Sequence, residues 1–169
     1  MLRKFGKKIF ASLLTIAMVV GMVTITPVAA AVPDMPTFED GKVYAIVSTT
    51  TGKALKATGI SYLESGRLFF DGTVSNGKVV EKAAFKVSVQ DDGNYVFTNV
   101  GNAVNLKCET GIEFVFNLET GTGPNFRYTI EPVEGGYKLY ALGGSSYLGI
   151  NGDNALAKVA EKKLKYLHL

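Results

Sequence analysis

The sequence predicts an all-β domain built from three repeated units, each of about four short strands, and three observations predict it. Apolar residues alternate at a period of two between turn signals: Val43-x-Ala45-x-Val47, Phe85-x-Val87-x-Val89, Tyr95-x-Phe97, Phe114-x-Phe116, Phe126-x-Tyr128-x-Ile130 and Tyr137-x-Leu139-x-Ala141. The punctuation is as regular, since "DDGN", "EGG", "LGGSS", "NGDN" and "SNG" supply the positive-φ residues that tight hairpins need. Finally, the chain repeats itself. Residues 126–152 match the stretch that begins at Phe85, pairing Phe126/Phe85, Ile130/Val89, Gly135/Gly93, Tyr137/Tyr95, Leu139/Phe97, Leu148/Val104 and Ile150/Leu106, with a two-residue difference in one loop.

In chain order, residues 1–31 read as a signal-peptide helix: "LRKFGKKIF" is a basic start, "ASLLTIAMVVGMVTI" an apolar stretch and "PVAAA" a small-residue cleavage site. Cleavage near Ala30 or Ala31 would export the protein from the cell. A membrane anchor is the competing reading; Pro27 and the alanines that follow, with no basic stop-transfer cluster, oppose it. Cleavage removes Arg3, Lys4, Lys7 and Lys8 from the 18 basic residues set against 15 acidic ones, leaving a net charge of −1. The apparent basicity therefore belongs to the targeting segment, and nothing in the mature charge points to nucleic acid or to a membrane surface. About 138 residues remain, enough for one domain with one core, and a monomer is expected. Cys108 is the sole cysteine, so no internal disulfide is available; it alternates with Val104 and Leu106 as a small buried apolar residue would.

Residues 32–40, "VPDMPTFED", read as a polar lead-in to a domain spanning 41–169. Strands led by Gly41, Gly93 and Gly135 open units of roughly 41–92, 93–134 and 135–169, and the first unit carries an extra loop, "TGISYLESGRLFFDGTVSNGKVV". The C-terminal "NALAKVAEKKLKYLHL" contains good helix formers, so a helix is a live local reading. The repeat argues for a strand instead. Leu164 lies 38 residues beyond Phe126, itself 41 beyond Phe85, and "EKKLKYL" echoes "EKAAFKV".

This three-unit pattern resembles the β-trefoil across the whole mature chain. The resemblance implies three four-stranded units that close a six-stranded barrel, one end capped by three hairpins, with the first and last strands meeting. Within that group "FVFNLETGTGPNFRYTI" (residues 114–130) looks most like the fascin-like repeats of the actin-crosslinking superfamily. Ricin-B-like lectin repeats are next; their Gln-x-Trp signature is missing, and the chain has no tryptophan.

Chemistry is sparsely supplied. "GTVSNGKV" nearly matches a phosphate-cradling loop, but Val79 stands where a magnesium-holding Ser or Thr belongs and no helix former follows, so it reads as a turn. His168, the only histidine, sits one residue from the end in the predicted closing strand, so no catalytic residue is assigned. No metal site and no cofactor are expected, because no His/Cys cluster exists and "NGDN" has too few spaced carboxylates for calcium. Sugar recognition needs aromatic faces and a few Asn or Asp groups in a shallow mouth. The resemblance places Lys56, Asn105 and Gly149 where ricin-like trefoils hold a diol, and of these only Asn105 suits that task. The candidate ligand-binding residues are Tyr62, Asp71, Asn105, Tyr147, Asn151 and Asp153, with Tyr62 in the polar unit-one insertion and Tyr140 beside Tyr147 in unit three. The expected function is a secreted, non-catalytic binding module for a glycan or polysaccharide. The alternatives are a trefoil that binds an extracellular protein, such as a protease inhibitor probing with the unit-one loop, and a small hydrolase. An export signal and a single trefoil argue against actin bundling.

Overall fold

Tight turns at regular intervals keep the strands of this protein short. The computed structural model describes residues 22–24, 38–58, 68–108, 116–133, 136–159 and 167–168. In chain order the strands are β1 (Met22–Thr24), β2 (Val43–Tyr44), β3 (Val47–Ser48), β4 (Ala54–Ala57), β5 (Leu68–Gly72), β6 (Lys78–Val80), β7 (Phe85–Val89), β8 (Tyr95–Asn99), β9 (Val104–Cys108), β10 (Phe116–Glu119), β11 (Tyr128–Val133), β12 (Gly136–Ala141), β13 (Ser146–Ile150), β14 (Leu156–Val159) and β15 (Leu167–His168). Two 3-10 turns, Glu81–Ala83 and Pro124–Phe126, precede β7 and β11. Asn76 and Gly77, at φ 46° and 67°, turn the chain between Ser75 and Lys78, which confirms the "SNG" motif as a two-residue hairpin turn.

The strands form a closed ring. β2 pairs with β7, β7 with β8, β8 with β11, β11 with β12, β12 with β15, and β15 with β3, which continues from β2. Leu167 lies opposite Tyr137 on one side and Ser48 on the other, so the expected C-terminal strand closes the barrel. Closure leaves no open edge in the ring. Three hairpins, β4–β5, β9–β10 and β13–β14, extend from β3, β8 and β12 to cap it. Together these make a β-trefoil.

Inward side chains fill the ring. Ile46, Phe97 and Leu139 are buried at matching places on β2–β3, β8 and β12, and Leu55, Leu106 and Leu148 repeat on the first strand of each hairpin. Cys108 is buried among them, as its alternation predicts. The first run departs from expectation: Tyr44 and Ile46 point into the core, whereas Val43, Ala45 and Val47 face a separate small-residue cluster with Val79, Ala83 and Ala84. Both faces of this run are covered, so its apolar alternation could not show which side was inner. Phe126 likewise precedes its strand, sitting in the 3-10 turn, and the partner of Phe85 in the next unit is Tyr128: Phe85 faces Asn99 as Tyr128 faces Ala141.

Two locks repeat between units. Gly101 N donates to Glu81 O at 3.1 Å and Gly143 N to Pro124 O at 3.0 Å, holding each 3-10 turn against the next hairpin turn. A Cβ on Gly101 would come within 2.9 Å of Lys82 N, so the close approach requires glycine there. Buried Asn99 strengthens the first lock. Its Nδ2 donates to the carbonyl oxygens of Lys82 (3.0 Å) and Ala84 (3.4 Å), and its Oδ1 accepts from Asn102 N at 3.1 Å.

The lead-in contributes to the core. Phe38 is 5% exposed and its ring meets Tyr44, Tyr95 and Tyr137 edge-on, at centroid distances of 5.0, 5.4 and 6.2 Å. These three tyrosines occupy equivalent places in the three units, so Phe38 plugs the barrel on its threefold axis. Of the expected signal-peptide helix at 1–31, only β1 is described, and it is extended. Met22, Val23 and Thr24 pair with Val80, Val79 and Lys78 of β6, which lies outside the ring and offers an edge that β-branched residues suit. The remainder of 1–31 lies outside the described residues.

Phe38→Ala should lower unfolding free energy by about 3 kcal/mol, as loss of a buried ring does, read as a reduced urea midpoint with an unchanged m-value. Tyr128 offers a second test. Its hydroxyl is buried with no hydrogen-bond partner, and that burial holds its phenol neutral well above the ordinary tyrosine value. The native state thus keeps a proton that the unfolded chain releases above a pH of about 10, so this group's stabilisation is present below that pH and lost as pH rises. Tyr128→Phe should blunt the alkaline loss and leave stability at pH 7 equal or higher by about 1 kcal/mol, measured by urea titration at both pH values.

Candidate functional site

Each unit turns from its ring strand into its hairpin through four residues: 49–52, 100–103 and 142–145. The last residue of each turn has positive φ: Gly52 (65°), Ala103 (55°) and Ser145 (44°). On the strands that follow, Val47 lies opposite Ala54, Thr98 opposite Asn105 and Tyr140 opposite Tyr147. The units therefore align here without a gap, and the two-residue offset expected from sequence is absent. Asn105 corresponds to Ala54 and Tyr147, while Gly149 corresponds to Lys107 and Lys56. The offset came from matching Leu148 with Val104; Leu148 instead matches Leu106, and both are buried.

This outward position is treated differently in each unit. In unit one Ala54 is buried in a cluster with Val79 from the insertion and with Ala83 and Ala84 of the 3-10 turn and its end. In unit two Thr98 Oγ1 donates to Asn105 Oδ1 at 2.7 Å, and Asn105 Nδ2 donates to Gly121 O at 2.6 Å, so the amide is committed at both ends. In unit three two partly exposed tyrosines replace them, with ring centroids 5.0 Å apart and planes at 66°. Tyr147 OH donates to the Glu131 carboxylate, 3.3 Å from Oε1, and Lys138 Nζ lies 5.7 Å from the Tyr147 ring centre. That is cation–π distance.

The neighbouring position diverges in the same sense. Lys56 pairs with Asp71 (3.2 Å) in unit one and Lys107 with Glu119 in unit two. In unit three the equivalent residues are Gly149 and Val159, and a Cβ on Gly149 would come within 2.6 Å of Val159 Cγ2. An apolar side chain lying over a glycine has thus taken the place of an ion pair.

The six residues singled out from sequence do not form one cluster. Tyr62 lies outside the described residues. Asp71 is exposed and ion-paired in unit one, and Asn105 is held within unit two. Asn151 serves the β13–β14 turn, its Oδ1 accepting from Asp153 N at 3.0 Å and Ala155 N at 2.9 Å, and Asp153 is exposed in that turn. The "NGDN" stretch is therefore a hairpin turn, as read. Tyr147 alone of the six lies in the aromatic cluster, with Tyr140. Glu131, Lys138, Thr129 and Val159 went unnoticed; an ungapped match of the three four-residue turns would have exposed the unit-three divergence around them. Among the described residues no three His, Cys, Asp or Glu side chains gather where they could hold a metal ion.

No family model matches the chain, and no curated protein matches it in sequence. Solved structures match its fold. A mosquitocidal holotoxin shares 15% identity at a TM-score of 0.64 over 78% of this chain, which spans only 17% of the toxin's length. The designed three-fold symmetric protein ThreeFoil shares 16% identity at a TM-score of 0.58, covering 75% of this chain and 98% of its own. The Macrolepiota procera ricin B-like lectin, solved with lactose, shares 10% identity at a TM-score of 0.58, covering 79% of this chain and 99% of its own. These likenesses establish the β-trefoil fold.

Because both ends of the Asn105 amide are bonded inside unit two, Asn105→Ala should cost about 1 to 2 kcal/mol of stability through two lost hydrogen bonds, measured by chemical denaturation.

Proposed function

We propose that the protein is a secreted, non-catalytic carbohydrate-binding module that binds glycan through the Tyr140–Tyr147 face of its third unit. One observation carries this reading: at three equivalent positions of the barrel wall, the first is buried with Val79, Ala83 and Ala84 and the second is held in an internal hydrogen-bond lock. Only the third presents aromatic rings. Sugar rings carry an apolar face of C–H groups that packs on aromatics, and hydroxyls that bond to flanking polar groups. Tyr147, Tyr140, Glu131 and Lys138 supply both kinds of contact. The lectin solved with lactose has the same fold and supports the reading by analogy. Export rests on the basic, apolar and small-residue pattern of residues 1–31. The protein-binding alternative rests on the loop around Tyr62, which lies outside the described residues.

Retention on insoluble polysaccharides, together with a glycan panel, tests this. Tyr147→Ala should weaken binding roughly tenfold or more, about 1.4 kcal/mol, with little change in melting temperature. Asn105→Ala should keep its binding once its lower stability is allowed for. If the protein is retained on no glycan, the reading is wrong.

A further inference from the structure

We propose that the unit-three face takes an extended, uncharged oligosaccharide segment lying across the strands, rather than a single terminal sugar; this rests on the carbohydrate-binding reading above. The argument is the register. Thr129 of β11 lies opposite Tyr140 of β12, Tyr140 opposite Tyr147 of β13, and Tyr147 opposite Val159 of β14. The four residues alternate with buried Tyr128, Ile130, Leu139, Ala141, Leu148 and Leu156, so all four stand on the outer surface. They form one continuous row perpendicular to the strands. At about 4.8 Å between neighbouring strands, the row runs about 14 Å from end to end, roughly three pyranose rings in an extended chain.

Relief along the row favours a chain over a pocket. The two tyrosines stand at its centre, with Thr129 and Val159 lower at its ends. Beside Tyr147 the Val159 side chain lies over Gly149, which is buried and faces Ala157 across β13 and β14, so apolar surface continues past the tyrosines. Nothing along the row encloses a sugar from above among the described residues. Enclosure is what selects a chain end; an open ridge contacts successive rings of a chain interior. Charge agrees. Glu131 and Lys138 face each other across β11 and β12 and balance one another, and the Glu131 carboxylate already accepts from Tyr147 OH, so among the described residues this pair offers no net charge to an acidic or a basic sugar.

The test is length dependence. The protein is titrated calorimetrically with homologous series of one to six units built from glucose, mannose, xylose, galactose and N-acetylglucosamine. In the series that binds, affinity should climb by roughly tenfold or more from one unit to three and then level off. Thr129→Ala and Val159→Ala, which trim the ends of the row, should reduce the gain between two and three units. Affinity that is the same for one unit and for three, yet lost in Tyr147→Ala, would overturn the extended-chain inference while leaving the carbohydrate reading in place. Binding to no member of any series would overturn both.

Discussion

Ring closure is the constraint on which the rest of this molecule depends. Two residues of β15 bridge β12 to β3, and with them the six ring strands have no free edge. A short-stranded sheet left open there would expose unpaired backbone on two sides and could not enclose a core. Once the ring is shut, three strand pairs stand around one axis and their inward residues meet at fixed heights. Ile46, Phe97 and Leu139 meet at one level, and Tyr44, Tyr95 and Tyr137 at another, where Phe38 fills the opening between them.

The same closure creates three equivalent outward positions that the core does not constrain. An inward residue must fit two neighbours from other units, so inward positions stay apolar and similar in size. An outward residue is not held by the core, and the three units have diverged there: a cluster of small apolar residues, a Thr–Asn–carbonyl lock, and a tyrosine pair. The Lys56–Asp71 and Lys107–Glu119 pairs beside them give way to Gly149 and Val159 in the third unit. Symmetry of the frame turns difference at the wall into a functional signal. Unit three is where that difference leaves aromatic surface in contact with solvent.

Some of this was legible in the chain and some was not. The run at Phe85 showed its inner face because Lys86 and Ser88 stand on the other side. Val43-x-Ala45-x-Val47 misled because the insertion covers its outer side, and a strand covered on both faces has no readable polarity. Tyr147 was visible as a candidate, but its correspondence with Asn105 was not. The repeats were matched on similar side chains, and the chain fixes register by turn length and backbone hydrogen bonds, which composition does not report. Thr129 and Val159 carry no signal of their own; they stand in one row only through the pairing registers of the four consecutive strands β11 to β14.

Alternation, turn residues and the forty-residue repeat are local properties of the backbone and its nearest side chains. By itself, therefore, the sequence determined an all-β, threefold chain with short strands, a single buried cysteine and no evident catalytic or metal-binding cluster. The tertiary structure decided what depends on contacts between strands: that Phe38 of the lead-in plugs the axis, that Asn105 is bonded to Thr98 and Gly121, and that Tyr140 and Tyr147 pack ring to ring on the wall. The physical reason is cross-strand register, which brings residues from different strands into contact and has no counterpart in the spacing of residues along the chain.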